Sequence, residues 1–271
     1  SLALNDQPGP VFLEIPNDVG GDITHGVAVD IPEPVYLPAP RLRAGGDPAS
    51  VDRAVELLLH AKRPVVVAGN GAMLSGSGPA FLRLVESLQI PFVTTPGGRG
   101  IISEKHPLAL GSVGLYRNRV AASYLKSVDV MLVVGSRNEA FQTHRWKDLP
   151  AGARLIQVDV CAAEIGRNWI PDVGIIGDAA LVLEQLMDAA HRHAGDRDEC
   201  GAIGEMLRMK ATLLDEVGEE CRTKEYPVPA KRVVHEVSSV LGDGTVLVNE
   251  NGSQDAWSYF YPYYTVGDRS A

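Results

Sequence analysis

Pro64-Val65-Val66-Val67-Ala68-Gly69-Asn70-Gly71-Ala72 is the stretch whose reading decides the fold. Three consecutive valines between a proline and a glycine describe a strand buried on both faces, because a half-exposed strand alternates and a helix needs a longer apolar run. Gly69 and Gly71 remove side chains where the backbone must turn sharply. Their amides are placed to face a phosphate at the start of a helix beginning near Ser77. A tight strand-to-helix turn without any ligand has the same spacing. The full dinucleotide fingerprint also asks for a third glycine at position 74 and an acid ending the next strand. Position 74 is Leu74 and the next strand ends Val93-Thr94-Thr95, so ordinary NAD binding is disfavoured.

Working outward, Asp47-Pro48 starts a helix, with Asp47 as N-cap and Pro48 at the first position, where its missing amide costs nothing. Val51, Ala54, Val55, Leu58 and Ala61 share one face of it. A second helix over Ser77 to Gln89 turns Phe81, Leu84, Val85 and Leu88 inward. Ile90 to Thr95 is a second buried strand, and Pro96 to Pro107 an irregular connection. Asn118 to Lys126 is helical, Val128 to Gly135 a third strand, and Ala153 to Asp159 a fourth that ends in an acid. Val173 to Asp178 is a short fifth strand feeding a helix from Ala179 to about Ala190. This alternation predicts an α/β fold: a doubly wound parallel sheet of five to six strands with helices on both faces. Its ligand crevice lies at the carboxyl ends of the strands.

The flanks have a different character. Val11, Leu13 and Ile15 alternate with Phe12 and Glu14 until Pro16, which reads as a short strand. Gly20 to Gly46 is rich in proline and glycine and reads as a linker. Beyond the sheet, Asp198 to Arg222 is a charged amphipathic helix and Ala230 to Leu241 another. Thr245 to Asn249 has the pattern of a further buried strand, and an aromatic stretch runs from Trp257 to Tyr264. One strand at either end has no neighbours to pair with. The expectation is a complete central unit between remnants of two other domains.

Composition limits the function classes. The 271 residues carry a net charge of −9 with no basic block, which argues against nucleic acid or an anionic membrane surface as partner. No apolar run approaches the ~20 residues of a membrane span and no signal peptide opens the chain, so a soluble, cytoplasmic protein is expected. Cys161, Cys200 and Cys221 lack metal-ligand spacing and read as reduced thiols.

Five motifs occur in a shared order: Gly9-Pro10-Val11-Phe12-Leu13-Glu14-Ile15-Pro16-Asn17-Asp18-Val19, Arg63 to Gly71, Gly98-Arg99-Gly100 with His106-Pro107-Leu108, Asp129 to Arg137, and Gln157-Val158-Asp159 with Ala163-Glu164-Ile165-Gly166. Together they resemble the thiamine diphosphate-dependent enzymes, in particular the acetolactate synthase-like branch of 2-oxo acid decarboxylases and carboligases. The resemblance implies a tail of the pyrimidine-binding domain at 1–19, a linker at 20–46, the central α/β domain at 47–193, a helical linker at 194–228, and the opening of the pyrophosphate-binding domain at 229–271. It further implies a parent enzyme that uses thiamine diphosphate and Mg²⁺ on a small-molecule substrate as a homodimer or homotetramer. The catalytic glutamate would lie upstream of Ser1 and the metal-binding Gly-Asp-Gly beyond Ala271, leaving residues 1–271 inactive alone. Gly242-Asp243-Gly244 spells that motif, but it precedes a strand and reads as a turn.

In several relatives the central domain binds FAD or ADP at its crevice. Carried over, Gly69 and Gly71 would approach phosphates, Thr95 and Gly114 would line the crevice, and Gly135 and Arg137 match a Gly-x-Arg after the third strand. Asp159 would accept from a ribose hydroxyl or adenine amine, with Gly177 and Asp178 flanking the base. FAD-binding synthases continue with Phe-Asp-Asp-Arg, whereas this chain has Asn138-Glu139-Ala140-Phe141, losing the second arginine unless Arg145 replaces it. The residues also allow plainer roles: Asp159 as a strand-end acid capping the next turn, and Arg137 paired with a neighbouring acid. A freestanding module for ADP, FAD or NAD and a spacer with an empty crevice are the competing readings of the whole.

Overall fold

The computed structural model describes residues 9–16, 18–19, 42–145, 147–148, 150–193, 201–242, 245–248, 250, 252 and 256–268. Ser1–Ala44 and Gly45–Ala271 form separate compact units. In the first, Val11, Phe12, Leu13 and Ile15 are exposed and form no strand, contrary to the alternation-based expectation. Alternation alone makes no strand where no neighbour takes up the backbone hydrogen bonds.

The second unit is built on one parallel sheet. Its strands are β1 (Pro64–Ala68), β2 (Phe92–Thr94), β3 (Ala109–Ser112), β4 (Val130–Val134), β5 (Arg154–Asp159) and β6 (Val173–Ile176), in the order β3-β2-β1-β4-β5-β6. Val66 on β1 pairs with Phe92 on one side and Leu132 on the other. Every residue of β1 and β4 is buried, which is why both read as unbroken apolar runs. The strand absent from the sequence reading is β3. Its Ala-Leu-Gly-Ser has no β-branched residue, and it pairs with β2 across a register shift.

Helix α1 (Pro48–Leu59) starts as its sequence dictates, with an Asp47 carboxylate oxygen accepting the Ser50 amide at 2.9 Å. The chain after β1 is less simple than expected. A short helix α2 (Asn70–Leu74) follows the glycine turn at once, and only then comes α3 (Gly78–Ser87). Helix α4 (Arg119–Leu125) is capped by Asn118, whose Nδ2 also donates to the Leu110 carbonyl of β3 at 2.6 Å. Helix α5 (Ala179–His193) follows β6 and packs with α1 and α3 on one face of the sheet. The β3-to-β4 connection runs opposite to β1-to-β2, so right-handed crossing puts α4 on the other face, where α6 (Gly201–Cys221) meets it. Helices α7 (Ala230–Val240) and α8 (Ala256–Tyr259) complete the unit.

Thr245 to Val248 form no strand, and Val246 and Val248 are exposed, so the buried strand expected there is not found; Asn249 lies outside the described residues. Among the described residues no helix is long and apolar enough to cross a membrane.

Within the core, Phe81 of α3 meets Phe92 of β2 edge-on at 5.3 Å. Phe81→Ala, at a fully buried site, should cost about 3–5 kcal/mol in urea denaturation, whereas Val246→Ala, at an 83% exposed site, should change stability by under about 0.5 kcal/mol.

Candidate functional site

The winding direction reverses between β1 and β4, so their carboxyl ends bound the crevice at which open α/β sheets bind ligands. The crevice floor is made of interlocked backbone. The Gly69 amide donates to the Val134 carbonyl and the Gly71 amide to the Gly135 carbonyl, each at 2.9 Å. Gly135 has φ +63°, and a Cβ built on it would lie 2.3 Å from the Ala72 nitrogen; one on Gly69 would lie 2.2 Å from the Gly135 oxygen. Glycine is required here so that two turns can touch. The amides read as phosphate donors are thus both spent on carbonyls; the five-residue α2 intervenes after the glycine turn, and the helix expected near Ser77 follows as α3, with Ser77 at its N-cap position.

Above this floor sits the loop that follows β4. Thr95 is buried, its amide on the Ala68 carbonyl at 2.9 Å. Gly114 has φ +74°, and a Cβ there would lie 2.3 Å from the Phe141 oxygen, which accepts the Leu115 amide at 3.1 Å. Asp148 lies 3.5 Å from Arg117 and accepts the Gly114 amide; burial raises its pKa, with Arg117 and His144 opposing. Ser136, Asn138, Thr143 and Asp148 are all buried. With Val67, Thr95, Val113, Met131, Gln142 and Trp169 they enclose a cavity of about 10 Å³, room for one water at most.

Beyond β5 the remaining candidates separate. Asp159 accepts the Cys161 amide at 2.9 Å, the turn-capping geometry. Burial raises its pKa; the Cys161 hydrogen bond and, more weakly, Arg137 oppose this, and Glu164 adds to it. Arg137 is exposed and pairs with Glu139 at 3.0 Å. Arg145 is exposed in the same loop, its amide on the Ala140 carbonyl at 2.6 Å. Gly177 donates to the Asp159 carbonyl at 3.0 Å, and Asp178 caps α5 by accepting the Ala180 amide at 3.1 Å. The fold therefore brings Arg137, Asp159 and Glu164 together and commits Gly177 and Asp178 to local structure. Asn138, Thr143 and Asp148 were not legible as buried groups, because a polar loop residue carries no periodic signal of burial.

A second polar centre lies where residues 256–268 meet the sheet-bearing core. Arg99 Nε and Nη2 donate to the two Glu104 carboxylate oxygens at 2.8 and 2.7 Å, with both side chains buried. Arg99 also donates to the Ser258 carbonyl at 2.6 Å and the Tyr264 carbonyl at 3.1 Å, while Glu104 accepts the Val266 amide at 2.8 Å. Lys210 of α6 donates to the His106 carbonyl at 2.6 Å and faces the Tyr261 ring; burial lowers its pKa to about 8 against the opposing charge of Glu104. The Arg99 guanidinium is the basic residue of the Gly98-Arg99-Gly100 motif, and its partners became visible only in three dimensions.

Among the described residues no group of three or more His, Cys, Asp and Glu side chains is arranged to hold a metal ion. Asp243 and Gly244 of the Gly-Asp-Gly triplet, and Cys200, lie outside the described residues.

Residues 51–186 match the central domain of the thiamine pyrophosphate enzymes. A probable acetolactate synthase large subunit from Methanococcus aeolicus is 31% identical over 269 residues, covering 96% of this chain and 45% of the relative. Its counterpart from Methanocaldococcus jannaschii is 30% identical over 258 residues, covering 94% and 44%. A glyoxylate carboligase from Escherichia coli O157:H7 is 27% identical over 255 residues, covering 93% and 42%. The chain spans less than half the length of these relatives.

The interlocked floor has a measurable consequence. Gly135→Ala combines a left-handed backbone with a contact at 2.3 Å and should cost at least about 3 kcal/mol or prevent folding. Gly152→Ala, also left-handed but facing open space, should cost only about 1–2 kcal/mol in the same denaturation experiment.

Proposed function

The chain belongs to the thiamine pyrophosphate enzymes, and from that premise we propose that it is the central part of an acetolactate synthase-like 2-oxo acid carboligase or decarboxylase. In this reading 47–193 is the central domain, 194–228 a helical linker and 229–271 the opening of the pyrophosphate-binding domain, with 1–19 and 20–46 as the preceding tail and linker. Thiamine diphosphate, with Mg²⁺, would supply the carbanion chemistry in the intact enzyme. The residues of this chain do not react; they hold the neighbouring parts in position.

The observation that carries this role is the Arg99–Glu104 pair. A buried ion pair is seldom a net source of stability, because desolvation of two charges offsets their attraction. What the pair does provide is direction. Its spare donors and acceptors engage Ser258, Tyr264 and Val266 and nothing else in the hydrogen-bond network described above, so residues 256–268 are fixed in one orientation against the core. That is the task of a scaffold between catalytic domains.

Two experiments test the proposal. In calorimetry, residues 1–271 should show no Mg²⁺-dependent binding of thiamine diphosphate, while the full-length gene product should consume a 2-oxo acid such as pyruvate or glyoxylate only when that cofactor is added. Cofactor binding by 1–271, or cofactor-independent turnover by the full-length protein, would contradict it. Separately, Arg99→Met leaves Glu104 buried without its partner and should destabilise by about 3–5 kcal/mol, speeding proteolysis within 256–268. Adding Glu104→Gln should recover much of the loss, and an unchanged cleavage rate in Arg99→Met would remove the clamp.

A further inference from the structure

We propose that the switch-point crevice is filled by the chain's own loop after β4, residues 136–145 and 147–148, so that this domain takes neither a flavin nor an adenine nucleotide. The inference rests on the geometry of the sheet and not on the activity proposed for the intact enzyme.

Three observations carry it. First, the donors that a diphosphate would need are engaged: the amides of Gly69, Gly71 and Gly135 end on the carbonyls of Val134, Gly135 and Val158. A phosphate would have to break a backbone hydrogen bond for each amide it gained. Second, the loop is seated and internally bonded. The amides of Gln142, Arg145 and Lys147 donate to the carbonyls of Glu139, Ala140 and Thr143, and the Thr143 hydroxyl donates to the Glu139 carbonyl. Three of the non-glycine residues with positive φ, Asn138, His144 and Arg145, lie in this loop, a backbone form that persists only where surrounding contacts hold it. The Phe141 carbonyl on the Leu115 amide and Asp148 beside Arg117 tie it to the end of β3.

Third, the void enclosed beneath the loop suits no nucleotide: pockets for such ligands span roughly 300–1,000 Å³, whereas the space between Val67, Thr95 and Met131 below and Ser136, Asn138 and Thr143 above is about 10 Å³. Asp148 is among the residues lining that space, and one of its buried carboxylate oxygens has no hydrogen-bond partner among the described residues. An acceptor there repels phosphate and suits at most a single water. Within the loop Asn138 is buried, whereas the exposed Phe141 ring lies 6.2 Å from that of Tyr116.

The test uses the purified protein. Acid denaturation should release neither adenine nucleotide nor flavin into the supernatant. FAD, ADP and NAD at about 1 mM should leave Tm unchanged, where a ligand binding at ~10 μM would raise it by several degrees. In hydrogen exchange the amides of Gln142, Arg145 and Lys147 should be protected. Near-stoichiometric release of a nucleotide, a saturable rise in Tm, or exchange of those amides at free-peptide rates would each overturn the proposal. None of these outcomes bears on whether the full-length protein uses thiamine diphosphate, so the two readings fail separately.

Discussion

The hydrogen bond from the Gly71 amide to the Gly135 carbonyl is the contact on which the rest of the sheet's upper edge depends. It joins the turn after β1 to the turn after β4, at the point where the winding reverses and no connecting helix spans the gap. The approach is so close that a methyl group on any of Gly69, Gly71 or Gly135 would overlap the opposite backbone. The same glycines that leave room for a ligand in related architectures here leave room for another strand's turn. Once that contact is made, the amides are satisfied and the loop after β4 has a floor to rest on.

Charge is distributed in keeping with this. Two of the places where charged groups are buried stand out among the described residues: Asp148, beside the half-buried Arg117, and the junction of residues 256–268 with Arg99, Glu104 and Lys210. Both places join a polar loop to the sheet's carboxyl side, and in both an arginine meets a buried carboxylate. An apolar contact would also have buried these loops, but it would tolerate sliding; the directed bonds of a guanidinium to two carbonyls and a carboxylate do not. Residues 256–268 are therefore oriented by directed hydrogen bonds and not merely attached through apolar contact.

Legibility in the sequence followed burial. Strands β1 and β4 announce themselves as valine-rich runs because both faces are covered, and the Asp47-Pro48 and Asn118 starts of α1 and α4 are short-range chemistry that no distant contact can alter. Strand β3 was missed because Ala109-Leu110-Gly111-Ser112 lacks both alternation and branched side chains; only its pairing with β2 makes it a strand. Val11 to Ile15 and Thr245 to Val248 show the converse, with strand-like patterns and no partner among the described residues.

The sequence by itself determined the layered α/β architecture, most element boundaries and the place of the crevice, since these follow from periodicity, caps and glycine turns acting within a few residues. Tertiary structure alone decided what the crevice contains. Whether an amide faces a phosphate or a carbonyl depends on the position of Gly135, sixty-four residues beyond Gly71. Whether Asp148 lies in solvent or beneath a loop depends on Gly114 and Arg117. Such facts are set by contacts between distant segments, and no local pattern encodes them.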